Sequence, residues 1–148
     1  MNCTLSILII SALWIGTVVG VSLIATPVKF RAPSLTRPVA LEVGKVTFTL
    51  FTRIEWAVFL LLALPILLCG QELLMLIVLL SLLAIVCAQS FWLLPVLAKR
   101  ADAVAAENGT LPESRVHRLY VLAELSKLGL LMMLVWNSWL ATSSQADL

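Results

Sequence analysis

Four side chains capable of acid–base or ionic chemistry lie on one face of the last apolar stretch of the chain. Steps of three, four and three residues place them on one side of an α-helix: His117, Tyr120, Glu124 and Lys127. A charge at the centre of a membrane helix costs about 2.5–3.5 kcal/mol, so Glu124 and Lys127 are expected to face other helices and to pair. This face is therefore the first place to look for binding or proton transfer.

Two hypotheses account for this face. In the first, it lines a polar pocket that opens to the cytoplasm and holds a small ligand or relays protons through Glu124 and His117. In the second, it is a structural network in which Glu124 pairs with Lys127 or Arg53, while His117 lies at the membrane interface. We favour the second hypothesis. Polar partners in the same half of the bundle are Gln89, Ser90, Arg53 and Glu55.

The composition places these residues in a membrane protein. The chain is 61% hydrophobic and 12% charged, with a mean hydropathy of +1.07, whereas soluble domains are about half apolar and a quarter charged. Its 148 residues accommodate four spans of about 20 residues with their connections. The net charge of +2 and the lack of a basic stretch with interleaved aromatics argue against a nucleic-acid partner. The expected surroundings are the lipid bilayer.

The predicted fold is all-α, a single integral membrane four-helix bundle. The apolar runs predict spans at about 5–28, 54–69, 73–98 and 119–141, joined by charged loops 29–53 and 99–118. The turn from Gly70 to Glu72 is very short, so the second and third spans should be antiparallel neighbours. The segment from Val39 to Phe51 has helical periodicity, which indicates an amphipathic helix at the interface or an extension of the second span.

The first span carries small residues at every fourth position: Ala12, Gly16 and Gly20. This spacing predicts a helix-packing face on which another backbone can approach closely. In the loop before the last span, Thr110 to Glu113 fits a capping box that starts the helix.

The basic residues predict the orientation. Nine of the ten lie in the two long loops or at their edges, and only Lys127 lies deeper. The positive-inside rule puts both long loops in the cytoplasm and both termini on the non-cytoplasmic side. The short loops and tails favour a bacterial inner membrane as the location.

The sequence shows no constellation for catalysis, metal binding or a redox cofactor. A single histidine cannot supply both axial ligands of a bis-histidine haem, and the three cysteines have no metal-ligand spacing. No nucleophile stands beside a general base. We therefore expect no enzyme activity, cofactor or metal. Cys3 and Cys69 are both predicted near the outer face, which leaves a disulfide between them open.

The chain resembles the small four-helix membrane family that contains eukaryotic transmembrane protein 205 and uncharacterised bacterial proteins. The resemblance rests on the first span ending Ala25 to Phe30, the amphipathic segment from Val39 to Phe51, and the opening of the last helix from Arg115 to Tyr120. It implies a fold rather than an activity.

These observations favour a non-catalytic integral membrane protein, either a packing subunit of a larger membrane complex or a self-associating homo-oligomer. The alternative is a transporter or binding protein for an ion or small molecule that uses a cytoplasm-facing pocket around Glu124.

Overall fold

Four long helices make up the structure, a computed structural model that describes residues 3–29, 31, 33, 35–70, 72–107 and 115–146. Helix α1 consists of Cys3–Val18, a π-helical segment Val19–Ala25 and Thr26–Lys29. Helix α2 is Arg37–Leu68. Helix α3 consists of Leu73–Ala88, a π-helical segment Gln89–Leu93 and Leu94–Glu107, and helix α4 is Arg115–Ala146.

Each helix contains a segment that is long and apolar enough to cross a bilayer. The candidate spans are Cys3–Lys29, Pro38–Leu68, Leu73–Ala103 and Arg115–Ser144. These four helices indicate a multi-pass membrane protein.

The helices form a ring in which each packs against two neighbours. Helix α1 packs against α4 and α2, and α3 packs against the same two helices. Helices α2 and α4 therefore face each other across the centre of the bundle.

Buried residues recur along α1 and α4 at alternating steps of three and four. On α1 they are Ile7, Ser11, Trp14 and Val18, and on α4 they are Tyr120, Glu124, Lys127, Leu131, Leu134 and Ser138. This heptad-like spacing is typical of helices that pack at shallow crossing angles with interlocking side chains. On α4 the inward face begins with three polar residues and then becomes largely apolar.

Both π-helical segments lie shortly before a proline. Pro27 follows the segment in α1, and Pro95 follows the segment in α3. A proline in a helix has no N–H to donate and its ring clashes with the carbonyl four residues back. A wider π turn relieves that clash without ending the helix.

The connections differ in part from the predicted loops. The segment from Val39 to Phe51 belongs to α2, which is continuous from Arg37, and α3 continues to Glu107. Gly70 in the short turn has a φ of 61°, a left-handed conformation that glycine adopts without strain. The predicted capping box from Thr110 to Glu113 lies outside the described residues.

A disulfide joins the start of α1 to the residue that follows α2. Cys3 and Cys69 are bonded, with their Cα atoms 6.5 Å apart, whereas Cys87 is a free thiol on α3. The pairing that the sequence left open is therefore present in the structure.

Candidate functional site

The centre of the bundle contains an ammonium group held between two carboxylates. The Lys127 Nζ donates to Glu55 Oε1 across the diagonal between α4 and α2, and to Glu124 Oε1 on its own helix at 3.1 Å. The exposed fractions of these residues are 0% for Lys127, 2% for Glu55 and 1% for Glu124. We call these three residues the ion triad.

Two neutral side chains on the remaining helices donate hydrogen bonds to the carboxylates of the ion triad. The Trp14 indole N–H on α1 donates to Glu55 Oε1 at 3.2 Å, and the Gln89 amide on α3 donates to Glu124 Oε1 at 2.7 Å. All four helices therefore meet in one hydrogen-bonded network. Tyr120, also buried, lies one helical turn before Glu124 on the same face of α4.

The charges of the ion triad do not cancel completely. Two carboxylates and one ammonium leave one formal negative charge when all three groups are ionised, and burial makes such a charge costly. The N–H groups of Trp14 and Gln89 offset part of that cost because both donate to carboxylate oxygens. Gln89 Oε1 and Glu124 Oε2 are buried with no hydrogen-bond partner among the described atoms.

Local helix geometry explains how each residue reaches the centre. Glu55 lies four residues after Phe51 and four before Phe59, on the buried face of α2. Gln89 begins the π-helical segment of α3, where the widened turn changes the direction of the side chains relative to a regular α-helix. The side chain of the next residue, Ser90, accepts a hydrogen bond of 3.0 Å from the Trp56 indole N–H.

The structure brings together most of the polar residues that the sequence singled out. Tyr120, Glu124, Lys127, Gln89 and Glu55 are all buried at the centre. Arg53, proposed as a partner of Glu124, is exposed, and so is His117 at the start of α4. Arg53 is exposed while Glu55 is buried, because residues two positions apart point to nearly opposite sides of a helix.

The small residues predicted to pack on α1 lie on the outer side of the bundle. Ala12 and Gly16 are exposed and Gly20 is half-buried. Apart from the backbone of its own helix, a Cβ added at Gly16 or Gly20 would have no atom of the described chain within 4 Å. Any close packing on this face therefore involves another molecule, and the packing itself remains a prediction.

A cavity of about 150 Å³ lies beside the ion triad at the end of the bundle opposite the disulfide. Tyr120 lines the cavity and lies one helical turn before Glu124 on the buried face of α4. All four helices contribute to the wall. The described lining residues are Thr26, Lys29, Leu41, Gly44, Lys45, Phe48, Leu94, Leu97, Ala98, Ala101, His117 and Tyr120.

Comparison with known proteins identifies a family. Residues 9–105, well over half of the chain, match a domain of unknown function, DUF4149. The chain belongs to the DUF4149 family. The matched part of this DUF4149 protein contains Trp14, Glu55 and Gln89, whereas Glu124 and Lys127 lie beyond it. No curated protein and no solved structure matched the chain.

Sequence reasoning missed two groups of residues in this DUF4149 protein. Trp14 was not recognised as a donor, although a tryptophan whose N–H lies deep in an apolar span needs an acceptor. The sequence pattern does not associate Lys29 and Phe48 with His117, but in the structure all three line the cavity, and the Lys29 ammonium lies 5.5 Å from the centre of the Phe48 ring. The signal for Lys29 was its place as the first basic residue after the first span.

The chemistry that the ion triad offers is ion pairing and proton exchange. Within the described part of the chain, no group of three or more histidine, cysteine or acidic side chains is placed to hold a metal ion. The ion triad consists of groups that exchange protons, and its atoms are enclosed by the four helices.

Proposed function

We propose that this is a non-catalytic integral membrane protein whose intramembrane charges hold the bundle together so that its outer surface can associate with other membrane chains. The observation that carries the proposal is the pairing of Lys127 with Glu55 and Glu124 inside the bundle. Truncating one member of such a buried pair leaves an uncompensated charge. The ion triad therefore stabilises one relative position of α2 and α4.

The outer face of α1 supports the association. Helices in lipid associate through close van der Waals contact, which small residues allow. Ala12 and Gly16 offer such a surface because both are exposed and the space beyond Gly16 is open. The partner is a second copy of the chain or a helix of another membrane subunit.

Cross-linking in native membranes, followed by native mass spectrometry of the extracted protein, tests this association. Gly16→Leu is expected to reduce the assembled fraction, while Ala84→Leu, the same kind of substitution at an exposed site on α3, leaves it unchanged. A protein that remains monomeric in its native membrane would contradict the proposal.

We further propose that both termini are outside the cytoplasm and that the membrane is a bacterial inner membrane. Basic residues concentrate at the end of the bundle opposite the termini. The Cys3–Cys69 disulfide lies at the terminal end, and disulfides persist on the oxidising side of a membrane. A cysteine placed at Ser143 should react with an impermeant maleimide in intact cells, and one at Lys99 only after permeabilisation. The reverse pattern would overturn this orientation. The relationship to transmembrane protein 205 is part of the same proposal.

A second candidate function is ion or small-molecule binding around Glu124. Tyr120 lines the cavity one helical turn from Glu124, whose Oε2 is buried without a described hydrogen-bond partner. In proteoliposomes, this function predicts that an imposed pH gradient dissipates faster than in empty vesicles. Glu124→Gln would abolish the effect while the fold is retained. Wild-type vesicles as tight as empty ones would exclude proton transport.

A further inference from the structure

We propose that the cavity beside Tyr120 binds an anionic phospholipid of the surrounding bilayer, with the headgroup phosphate near Lys29 and His117 and part of an acyl chain against the apolar wall. This site is separate from the ion triad and from the outer face of α1. Its occupancy does not depend on whether the protein assembles with other chains.

The charges around the cavity favour an anion. Three of the described lining residues are basic, namely Lys29, Lys45 and His117, and none is acidic. Lys45 pairs at 2.8 Å with Asp102, which lies outside the lining. Lys29 and His117 are the lining residues that we assign to the phosphate, because an ammonium and an imidazole N–H can both donate hydrogen bonds to its oxygens. Basic pockets between membrane helices at the headgroup level are known to bind acidic lipid headgroups.

Further positive charge surrounds the cavity. Exposed basic side chains occur in the segments that flank it on α3 and α4: Lys99, Arg100, Arg115 and Arg118. Together they raise the local concentration of anionic lipid at this end of the bundle, each by less than a basic residue that lines the cavity.

The wall and the size of the cavity favour a lipid over a soluble anion. Leu94, Leu97 and Phe48 contribute apolar surface, which a free phosphate ion would leave unused. A volume of about 150 Å³ is below the roughly 300–1,000 Å³ of pockets that enclose a whole drug-sized ligand. The cavity therefore suits one part of a lipid, while the rest of the lipid stays in the bilayer.

Gly44 determines where the Lys29 ammonium lies. A Cβ built at Gly44 would be 2.5 Å from Lys29 Nζ, so the ammonium rests directly on the backbone of α2 while it also faces the Phe48 ring. Alanine at this position would force the flexible end of Lys29 to move. Gly44→Ala thus displaces the cation without removing it.

The test titrates the purified full chain in detergent with phosphatidylglycerol or phosphatidylcholine and measures the fraction that retains one lipid by native mass spectrometry. We expect phosphatidylglycerol to bind about tenfold more tightly, and Lys29→Gln to weaken it about five- to tenfold. Lys99→Gln removes the same charge from the same end of the bundle outside the cavity and should change binding less than about twofold.

Two further variants change the shape of the cavity without removing a charged group. Gly44→Ala should weaken phosphatidylglycerol binding in the same direction as Lys29→Gln, which keeps the test decisive if Lys29→Gln does not fold. Leu97→Trp fills the apolar part of the cavity and should also weaken phosphatidylglycerol binding. Leu80→Trp, on the exposed surface of α3, should leave that binding unchanged.

Three results would overturn the proposal. The first is equal binding of the two lipids, and the second is equal loss in Lys29→Gln and Lys99→Gln. The third is inorganic phosphate competing as strongly as phosphatidylglycerol at the same concentration, which would identify a simple anion site.

Discussion

Lys127 donates a hydrogen bond to Glu55 across 72 residues of sequence and across the centre of the bundle. The two residues belong to helices that are not ring neighbours, so their contact fixes the diagonal of the ring. Helix α4 also holds Glu124 against the same ammonium at 3.1 Å. One cation thus contacts two carboxylates.

The first prediction concerns the charge imbalance of the ion triad, which has two carboxylates and one ammonium. Lys127→Met leaves two carboxylates buried together and should lower the free energy of unfolding by about 3 kcal/mol or more. Glu124→Gln leaves a neutral Lys127–Glu55 pair and should cost only about 1 kcal/mol. Reversible unfolding in mixed lipid and detergent micelles measures both. Equal losses in the two variants would contradict the assigned charge balance.

The second prediction concerns Trp14. Trp14→Phe removes the N–H donor to Glu55 but keeps a ring against Phe59, whose centroid lies 6.4 Å from that of Trp14. We expect a loss of about 0.5–2 kcal/mol in the same unfolding measurement. Trp139→Phe, on the exposed surface of α4, is the matched control and should have little effect. A Trp14→Phe variant as stable as this control would mean that the hydrogen bond contributes nothing.

The third prediction concerns the disulfide between Cys3 and Cys69. Closing a loop with a sequence separation of 66 residues should stabilise the fold by about 4 kcal/mol on the chain-entropy account. The double replacement by serine should therefore lower the melting temperature. Maleimide labelling of the denatured protein should modify one cysteine without reduction and all three after it. Three reactive thiols before reduction would show that the bond is absent.

The fourth prediction concerns Ser138, which is fully buried on α4 and whose hydroxyl has no hydrogen-bond partner among the described atoms. Ser138→Ala removes an unsatisfied polar atom and should leave stability unchanged or raise it. Ser138→Leu should cost about 1–3 kcal/mol by overpacking. Thermal unfolding of both variants gives the comparison, and a marked loss in Ser138→Ala would show that the hydroxyl has a partner.

Part of this architecture follows from the sequence. Apolar runs predict four helices, and the cost of an unpaired charge in lipid predicts that Glu124 and Lys127 face inward. That Glu55, and not Arg53, faces the centre of the bundle also follows once α2 is continued back to Arg37. The reason is that Glu55 shares a helix face with buried Phe51.

Other features could not be read from the sequence. Whether Trp14 faces lipid or an acceptor depends on which helices are neighbours, and apolar periodicity alone does not determine that. The π-helical segment of α3 changes the direction of Gln89 relative to an ideal helix, so face assignments made with a period of 3.6 become inaccurate there. The cavity combines residues from all four helices and is visible only after they pack.

The most direct test of the structural role of the ion triad is a double-mutant cycle between Lys127 and Glu55. The free energy of unfolding is measured for the wild type, Lys127→Met, Glu55→Gln and the double variant, all in the same lipid mixture. We predict that the double variant is more stable than the sum of the single losses implies, with a coupling of about 2 kcal/mol or more. Additive losses would contradict the account, because they would show that Lys127 and Glu55 do not stabilise each other across the bundle.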